Sequence, residues 1–186
     1  MLQGRLAFLK AAEALKDTLR SGHTSQGRPE STAEHSWRLC LLALAFEDQL
    51  PGIDMLKLLK LCILHDLGEA LHGDIPAVAQ VDKEAKQVQE RQDMLALTAS
   101  LDAPLRTRVM SLWEEYDAAS TPEAQLAKAL DKLETVLQHN QGKNPPGFDY
   151  GFNLGYGQHY TAAHPLTAAI RALLDRETRA RIDRGQ

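Results

Sequence analysis

The sequence predicts a single all-α domain built from seven or more helices. Its 30 leucines and 25 alanines, against five valines and five isoleucines, favour helix over strand. Apolar residues also recur at helical spacing along almost the whole chain of 186 residues. Neither an internal repeat nor a linker rich in proline and serine divides the sequence. We therefore expect one domain over 1–186, with a core at about 28–140 and a C-terminal loop and helix over 141–182.

Start and stop signals delimit the predicted helices. The first helix ends near Arg20, and a polar connection follows it to residue 30. Ser31 and Glu34 form a capping-box pattern that opens a second helix, which extends to about Gln49. The remaining predicted elements are a helix that is opened by Asp54 and ends at His65 or Asp66, a short turn or helix over 68–81, helices at about 83–100, 105–118 and 122–139, a long loop over 141–158 and a last helix over 165–181.

Composition and charge limit the classes of partner and compartment. The fractions of apolar (44%) and charged (25%) residues are typical of a globular protein. The net charge of −4 argues against nucleic acid or an anionic membrane as the main partner. Cys40 and Cys62 each lie in an apolar run without a neighbouring thiol, which argues against a disulfide framework. Since neither a signal peptide nor a membrane span is recognisable, we expect a soluble, cytoplasmic protein.

Four ionisable residues interrupt the apolar helical stripes. They are His35 on the second predicted helix, His65 and Asp66 at the end of the third, and Asp131 on the helix at 122–139. An unpaired buried carboxylate costs several kilocalories per mole, so a buried aspartate normally faces a cation or several hydrogen-bond donors. Two imidazoles and two carboxylates form a ligand set that suits a divalent first-row ion.

Each of these residues also has an ordinary structural interpretation. A histidine such as His35 is often a hydrogen-bonded core residue, Asp66 would serve as a cap, and Asp131 would serve as an ion-pair partner. The adjacent His65 and Asp66 would also diverge by about 100° inside a straight helix. They reach one small site only if the helix ends there, and Gly68 marks a suitable turn. Taken together, the four residues favour a metal site over four separate core positions.

Several segments around these residues match known motifs. The segments are Arg28-Pro-Glu-Ser-Thr-Ala-Glu-His-Ser-Trp37, His65-Asp66-Leu-Gly-Glu69, Gly73-Asp74-Ile-Pro76, Leu112-Trp-Glu-Glu-Tyr116, Lys128-Ala-Leu-Asp-Lys-Leu-Glu134 and His164-Pro165. The order of ligands resembles the H…HD…D signature of the HD-domain metal-dependent phosphohydrolases. The flanking segments resemble the branch with the 5′-deoxynucleotidases and the HD-domain-containing protein 2 group, from about Arg20 to the last helix.

The resemblance implies an HD-type helical bundle, a homodimer and a role for each matching residue. The implied roles are ligation of one divalent metal ion by His35, His65, Asp66 and Asp131, water activation by Glu69, action on the substrate or leaving group by Asp74, and nucleotide contact by Arg20 and Arg28. The ligand types accept Mn, Co, Fe or Zn. Ser21 follows Arg20 where some relatives place an aromatic residue against the sugar, so the sequence leaves the choice between ribose and deoxyribose open.

The chemistry of these residue types agrees with the implied reaction. A bound metal lowers the pKa of water to about 7, and a nearby carboxylate can take the released proton. Glu69 follows His65 by four residues, so helical geometry would keep it on the same side of the chain. Guanidinium groups bind a dianionic phosphate through paired hydrogen bonds. We expect a phosphomonoesterase that acts on (deoxy)nucleoside 5′-monophosphates, with neither a nucleic acid polymer nor a membrane as partner.

The sequence alone leaves other classes of protein open. Glu69 and His72 have the E-x-x-H spacing of di-iron carboxylate proteins, but those proteins need a second such unit and two further glutamates. A non-catalytic helical interaction module would need neither the ligand set nor Glu69. Among HD-type hydrolases, the alternative is a different phosphoester substrate.

Overall fold

The fold is all-α, as predicted, with one small hairpin. The computed structural model describes residues 1–74 and 83–185. The α-helices in these ranges are α1 (Leu2–Ala12), α2 (Thr32–Ala45), α3 (Met55–Leu64), α4 (Lys83–Leu97), α5 (Ala103–Ala118), α6 (Pro122–Gln141), α7 (Tyr150–Gly155), α8 (Gln158–Thr161) and α9 (Pro165–Asp183). Short 3₁₀ helices lie at Glu13–Lys16, Glu47–Gln49, Leu67–Ala70 and Thr98–Ser100, and strands β1 (Leu19–His23) and β2 (Pro29–Ser31) pair antiparallel. None of the described helices has an apolar stretch long enough to span a bilayer.

Helix α6 is the central element, because α2, α3, α5 and α9 all pack against it. Its residues Leu130, Leu133 and Val136 are completely buried. They meet Leu39 from α2 and Leu58 from α3 in the main hydrophobic core. Each fully buried leucine stabilises the fold by about 1.5–3 kcal/mol. This core fixes α6 against the helices that precede it in the chain and against the C-terminal helix.

Side-chain caps confirm the predicted helix starts. Ser31 accepts a hydrogen bond from the backbone N–H of Glu34, and the Glu34 side chain accepts one from the N–H of Ser31, which completes the capping box of α2. Asp54 caps α3 and Thr121 caps α6 through the same type of contact. Pro122 occupies the first turn of α6, where a missing N–H costs nothing.

The segment before α2 differs from the predicted helix and polar connection. Helix α1 ends at Ala12, and the segments 19–23 and 29–31 form a hairpin. In its turn, Thr24 N–H donates to the carbonyl of Arg28, and Gly27 at φ +86° donates to the carbonyl of Thr24. The more buried positions of β1, Arg20 and Gly22, alternate with exposed ones, but neither has an apolar side chain. The sequence therefore lacks the two-residue hydrophobic period that identifies a strand. Arg20 therefore lies on strand β1 rather than at the end of a helix.

Two predicted irregular segments also differ in part. The predicted loop over 141–158 contains α7, whose first turn is capped by Asp149 through the N–H of Phe152. The loop therefore contains a helical turn that its glycines and prolines conceal. Of the predicted turn or helix over 68–81, the structure shows a 3₁₀ turn at Leu67–Ala70, and residues 75–82 lie outside the described residues.

Arg171 on α9 connects the C-terminal part of the chain. Its buried guanidinium donates to the carbonyls of Asn153, Leu154 and Tyr156 at 2.5–2.8 Å. Its Nε also donates to Asp175, one turn further along α9, at 2.6 Å. One side chain thus satisfies the carbonyls at the end of α7 and holds this segment against α9.

We expect Arg171→Leu to lower the free energy of unfolding by about 3–5 kcal/mol, because it removes one partner of a buried charged network. Urea denaturation measures this loss. Arg176→Leu is the matched control, since Arg176 is exposed on the same helix and its replacement should change stability by no more than about 0.5 kcal/mol. Equal stabilities of the two variants would contradict the role of Arg171.

Candidate metal centre and active-site cavity

The four predicted metal ligands lie near one another in the structure, and ligand atoms of His35, His65 and Asp66 all lie within 4.8 Å of one another. Nε2 of His35, on α2, lies 3.2 Å from Oδ1 of Asp131, on α6. Nε2 of His65 lies 3.0 Å from Oδ2 of Asp66, at the end of α3. The two cross distances, His35 Nε2 to Asp66 Oδ2 and His65 Nε2 to Asp131 Oδ1, are both 3.9 Å. Three separate helices therefore bring two imidazoles and two carboxylates together.

The end of α3 explains how two adjacent residues face the same site. Helix α3 ends at Leu64, and His65 still has helical backbone angles. Asp66, at φ −98° and ψ 9°, leaves the helical region and opens the 3₁₀ turn. Gly68 allows this turn to approach α4, since a Cβ there would lie 3.0 Å from the carbonyl oxygen of Glu90. The turn predicted at Gly68 is thus confirmed.

The hydrogen bonds of the two histidines fit a metal ion. Nδ1 of His65 donates to the carbonyl of Cys62 at 2.8 Å, and Nδ1 of His35 donates to Oε2 of Glu134. With the ring proton on Nδ1, each Nε2 carries a lone pair that points into the site. Both Nε2 atoms are buried without a hydrogen-bond partner. Such orphaned acceptors next to two carboxylates are the donor set that a divalent cation satisfies.

The carboxylates of the site are held in their charged form. Burial alone would raise the pKa of Asp66, but nearby positive charge, including that of Arg20, lowers it. Burial also opposes the charge of Asp131, while Lys132 lowers its pKa well below the usual value. Metal ligation requires deprotonated carboxylates, so both groups are prepared for it.

Asp131 is held in place by two neighbours. The phenol of Tyr116 donates to its Oδ2 at 2.8 Å, and Nζ of Lys132 lies 2.8 Å from the same oxygen. The other oxygen, Oδ1, faces the two histidines. One oxygen is therefore used to orient the side chain, and the other remains directed into the site.

Glu69 lies beside the ligands in the 3₁₀ turn and is buried. Nζ of Lys86 lies 3.4 Å from its Oε1, and the hydroxyl of Thr32 donates to its Oε2 at 3.5 Å. Burial, followed by repulsion from Asp66 and Asp74, raises the pKa of Glu69 to about 9. A cation at the site would offset this repulsion and favour the carboxylate form. Glu69 is thus placed to exchange a proton within the site.

A cavity of about 260 Å³ opens at the site. Its wall includes Asp66, Asp131 and Glu69, together with Asp74, which the resemblance assigned to the substrate or leaving group. The further lining residues are Arg20, Ser21, Lys86, Lys132, Thr135, His139, Phe148, Asp149, Phe152 and Tyr156. The cavity is charged at the ligand end and has aromatic rings from the segment 148–156. Glu69, the predicted water-activating residue, therefore borders a space that fits a small molecule.

Arg20 reaches this cavity from strand β1. Its Nη1 donates to Oδ2 of Asp66 at 2.9 Å, and its Nη2 donates to the hydroxyl of Thr135 at 3.2 Å. Burial would lower the pKa of Arg20, but Asp66 and Asp131 raise it above its usual value. The guanidinium is therefore a permanent positive charge next to the ligands.

Arg28 lies elsewhere. It is exposed and forms paired hydrogen bonds at 2.6 and 3.0 Å to the carboxylate of Glu34, at the start of α2. It is not among the residues that line the cavity. The expectation that Arg28 contacts the nucleotide has no support in this geometry, because the capping glutamate already binds the guanidinium.

Other side chains of the cavity were not identified from the sequence. They are Lys86, Lys132, Phe148 and Phe152 from the cavity wall and Glu134 behind His35. Lys132 directly follows Asp131, so the sequence did contain a signal for it. The two phenylalanines lie in the segment predicted as a loop, where no periodicity marks a binding surface.

His72 does not form a di-iron unit with Glu69. Its Nδ1 contacts both oxygens of Asp93, at 2.8 and 2.9 Å, and its side chain is 64% exposed. The His72 of the E-x-x-H spacing is therefore a hydrogen-bonding partner of Asp93 rather than part of a second ligand set.

Comparisons with known proteins agree with this geometry. The chain is 35% identical over 142 residues to "5′-deoxynucleotidase HDDC2" of Danio rerio, covering 75% of this chain and 70% of that protein. It is 32% identical over 149 residues to the protein of the same name in Dictyostelium discoideum, covering 76% and 78%. A crystal structure described as a predicted metal-dependent phosphohydrolase of Magnetospirillum magnetotacticum superposes with a TM-score of 0.82 at 26% identity, covering 96% and 93% of the two chains.

Residues 12–171 of the chain match the family model of the HD domain. This range contains the hairpin with Arg20, all four converging ligands, Glu69 and the aromatic wall of the cavity. The resemblance inferred from the motifs is confirmed, and the chain belongs to the HD-domain family.

Proposed function

We propose that the protein is a metal-dependent phosphomonoesterase that releases phosphate from (deoxy)nucleoside 5′-monophosphates. The observation that carries the proposal is the convergence of His35, His65, Asp66 and Asp131, with both Nε2 atoms unpartnered, at one end of a cavity that also contains Arg20. The names of the relatives support the substrate class, since both are 5′-deoxynucleotidases. We assign one divalent ion to the site, with Mn, Co, Fe and Zn all compatible with the ligands.

The residues around the ligands supply the acid–base chemistry. A divalent ion bound there would act as a Lewis acid and make water a better nucleophile near neutral pH. Glu69 orients the attacking water and accepts its proton. Asp74, at the same cavity wall, acts on the leaving oxygen. The roles are distinct because Glu69 is buried beside the ligands, whereas Asp74 is only partly buried.

The charges of the cavity favour a terminal phosphate. Arg20, Lys86 and Lys132 line the end next to the ligands, so three cations face a group that carries two negative charges. Charge-assisted hydrogen bonds of this type are about twice as strong as neutral ones. The cations are gathered in one cavity rather than spread along a groove, which suits a mononucleotide better than a polymer.

The aromatic residues favour a nucleoside on that phosphate. Phe148, Phe152 and Tyr156 line the same cavity, and the rings of Phe152 and Tyr156 pack 5.2 Å apart. The edge of Phe148 packs against His139 at 4.8 Å between ring centroids. Flat aromatic surfaces of this kind stack on any base, because stacking does not depend on the hydrogen-bonding groups at the edge of the base.

We also propose one HD domain over 1–186, a cytoplasmic location and a homodimer. Free Cys40 and Cys62 suit a reducing compartment. For the dimer, Trp37, Leu41 and Leu44 form an exposed apolar stripe on one face of α2. The net charge of −4 supports the absence of a nucleic acid polymer or an anionic membrane as partner.

A substrate screen tests the proposal directly. We expect the protein to release inorganic phosphate from nucleoside 5′-monophosphates, to lose this activity on complete chelation and to regain it with Mn²⁺ or Co²⁺. The matching 3′-monophosphates serve as controls for position. KM should depend only weakly on salt, because few phosphates are neutralised. Faster cleavage of an oligonucleotide, or full activity without metal, would overturn the proposal, and equal rates on dAMP and AMP would remove only the preference for deoxyribose.

Glu69→Gln should retain the metal but lower kcat by about 10²–10⁴-fold, the usual contribution of one positioned acid–base group. Metal content by elemental analysis and steady-state kinetics measure the two effects separately. Glu84→Gln is the control, because Glu84 is an exposed acid on α4. Loss of the metal from Glu69→Gln would instead make Glu69 a ligand.

Arg20→Ala should mainly raise KM, by about tenfold or more, since one hydrogen bond to a charged group contributes about 1.5–3 kcal/mol. Arg28→Ala is the matched comparison and should leave KM unchanged, because Arg28 is exposed and paired with Glu34. Kinetics on one nucleoside monophosphate at saturating metal measure both variants. An equal rise in both would restore the contact that the family resemblance implied for Arg28.

A further inference from the structure

His35 is held between two carboxylates of the same helix. Its Nε2 lies 3.2 Å from Oδ1 of Asp131, and its Nδ1 donates to Oε2 of Glu134 across the ring. Asp131 and Glu134 are three residues apart, so both face α2 from one side of α6. The side chains of His35 and Glu134 are fully inaccessible to solvent. Helix α6 thus contacts both nitrogens of this imidazole.

The contact with Glu134 determines which nitrogen of His35 is available. When His35 binds a metal as a neutral imidazole, a ring proton on Nδ1 donates to this carboxylate. The lone pair is then on Nε2, which faces the other proposed ligands. Without the carboxylate, the proton would be free to move to Nε2, and the ring would be free to rotate within its pocket. Either change would remove a ligand from the site.

Glu134 is itself held by a cation. Nε of Arg38 lies 3.2 Å from Oε1 of Glu134, and Nη1 of Arg38 donates to the side-chain oxygen of Gln138. Nε2 of Gln138 in turn donates to the carbonyl of His23 at 2.6 Å. Arg38 follows His35 by three residues and Gln138 follows Glu134 by four, so each helix presents both members on one face. The contacts therefore continue from His35 to the hairpin.

We propose that Glu134 is a positioning residue that fixes the tautomer and orientation of His35 and thereby sets the affinity of the site for its divalent ion. The inference rests on the proposed metal site and is independent of the substrate. His65 provides the comparison, since its Nδ1 donates to a neutral backbone carbonyl, that of Cys62. A carboxylate acceptor makes an imidazole a stronger ligand than a carbonyl does, and loss of such a partner typically weakens metal binding about 10–100-fold.

The alternative to a hydrogen bond between His35 and Glu134 is a second metal ion bound by Glu30, His35 and Glu134. Their ligand atoms lie within 4.8 Å of one another. Two contacts favour the hydrogen bond from His35 to Glu134 over a second ion. Nδ1 of His35 is already engaged by Glu134, and the guanidinium of Arg38 lies on the other carboxylate oxygen. A dication there would face this guanidinium across a buried space.

Metal titration of two variants tests the inference. The metal-free wild type, Glu134→Gln and Glu134→Asp are titrated with Co²⁺, followed by its visible absorption and by calorimetry. Glu134→Gln removes the charge at equal size, and Glu134→Asp keeps the charge but withdraws it by one methylene. We expect one ion per chain throughout and a Kd that is raised about 10–100-fold in both variants. Circular dichroism of the metal-free proteins verifies that each variant is folded.

Asp93→Asn is the matched control, because Asp93 is a buried carboxylate that contacts Nδ1 of another histidine, His72, at 2.8 Å. The Kd of Asp93→Asn for Co²⁺ should equal that of the wild type. This result would show that loss of a buried carboxylate beside a histidine does not by itself weaken metal binding. Wild-type affinity in folded Glu134 variants would overturn the inference, and so would loss of one of two bound ions. If Glu134→Gln does not fold, Glu134→Asp decides the question. Failure of the wild type to bind Co²⁺, Mn²⁺, Fe²⁺ or Zn²⁺ would instead refute the proposed function and this assignment with it.

Discussion

The site depends on the burial of negative charge in α6. Asp131 and Glu134 are almost completely removed from solvent in the middle of the main core, where an unpaired carboxylate is strongly destabilising. A cation lies beside each of them: Lys132 beside Asp131, and Arg38 beside Glu134. The imidazole of His35 lies between the two acids. A dication at the proposed site next to Asp131 would complete this balance and would link ion binding to folding of the core.

The same helix also joins the two ends of the chain around the cavity. The hairpin that carries Arg20 is attached through Gln138, which donates to the carbonyl of His23. Asn144, just beyond α6, accepts from the N–H of the same His23 at 3.2 Å. On the other side, α9 packs along α6. Residues about 120 positions apart in sequence thus line one space, and α6 contacts both the hairpin and the C-terminal helices.

The positions of the proposed ligands were predictable because burial and polarity conflict there. Each of His35, His65 and Asp131 interrupts an apolar stripe, and the sequence itself contains this conflict. The position of Asp66 required one further signal, the turn at Gly68. The helix starts followed from short-range capping contacts, which involve residues only three positions apart.

The remaining site residues depend on long-range contacts that have no local signature. Lys86 looks like a solvated residue of an amphipathic helix, and only the fold brings it to Glu69. Arg28 shows the opposite case, since a local contact with its neighbour Glu34, rather than the cavity, holds its guanidinium. The hairpin at 19–31 escaped prediction because a two-stranded ribbon with polar residues has no period to recognise.

The buried guanidinium of Arg171 has a consequence for how such enzymes diversify. It secures the backbone of 153–156 from α9, whereas the ligands are secured by α2, α3 and α6. Helix α6 contacts the same segment, since Nδ1 of His139 lies 2.8 Å from Oδ1 of Asn153. Arg171, by contrast, holds this segment through backbone carbonyls alone. A substitution at Phe152 leaves these backbone hydrogen bonds in place, whereas one at Phe148 also removes the packing on His139 of α6. A lineage that retains Arg171 can therefore vary side chains of this wall while it keeps the backbone that presents them to the cavity.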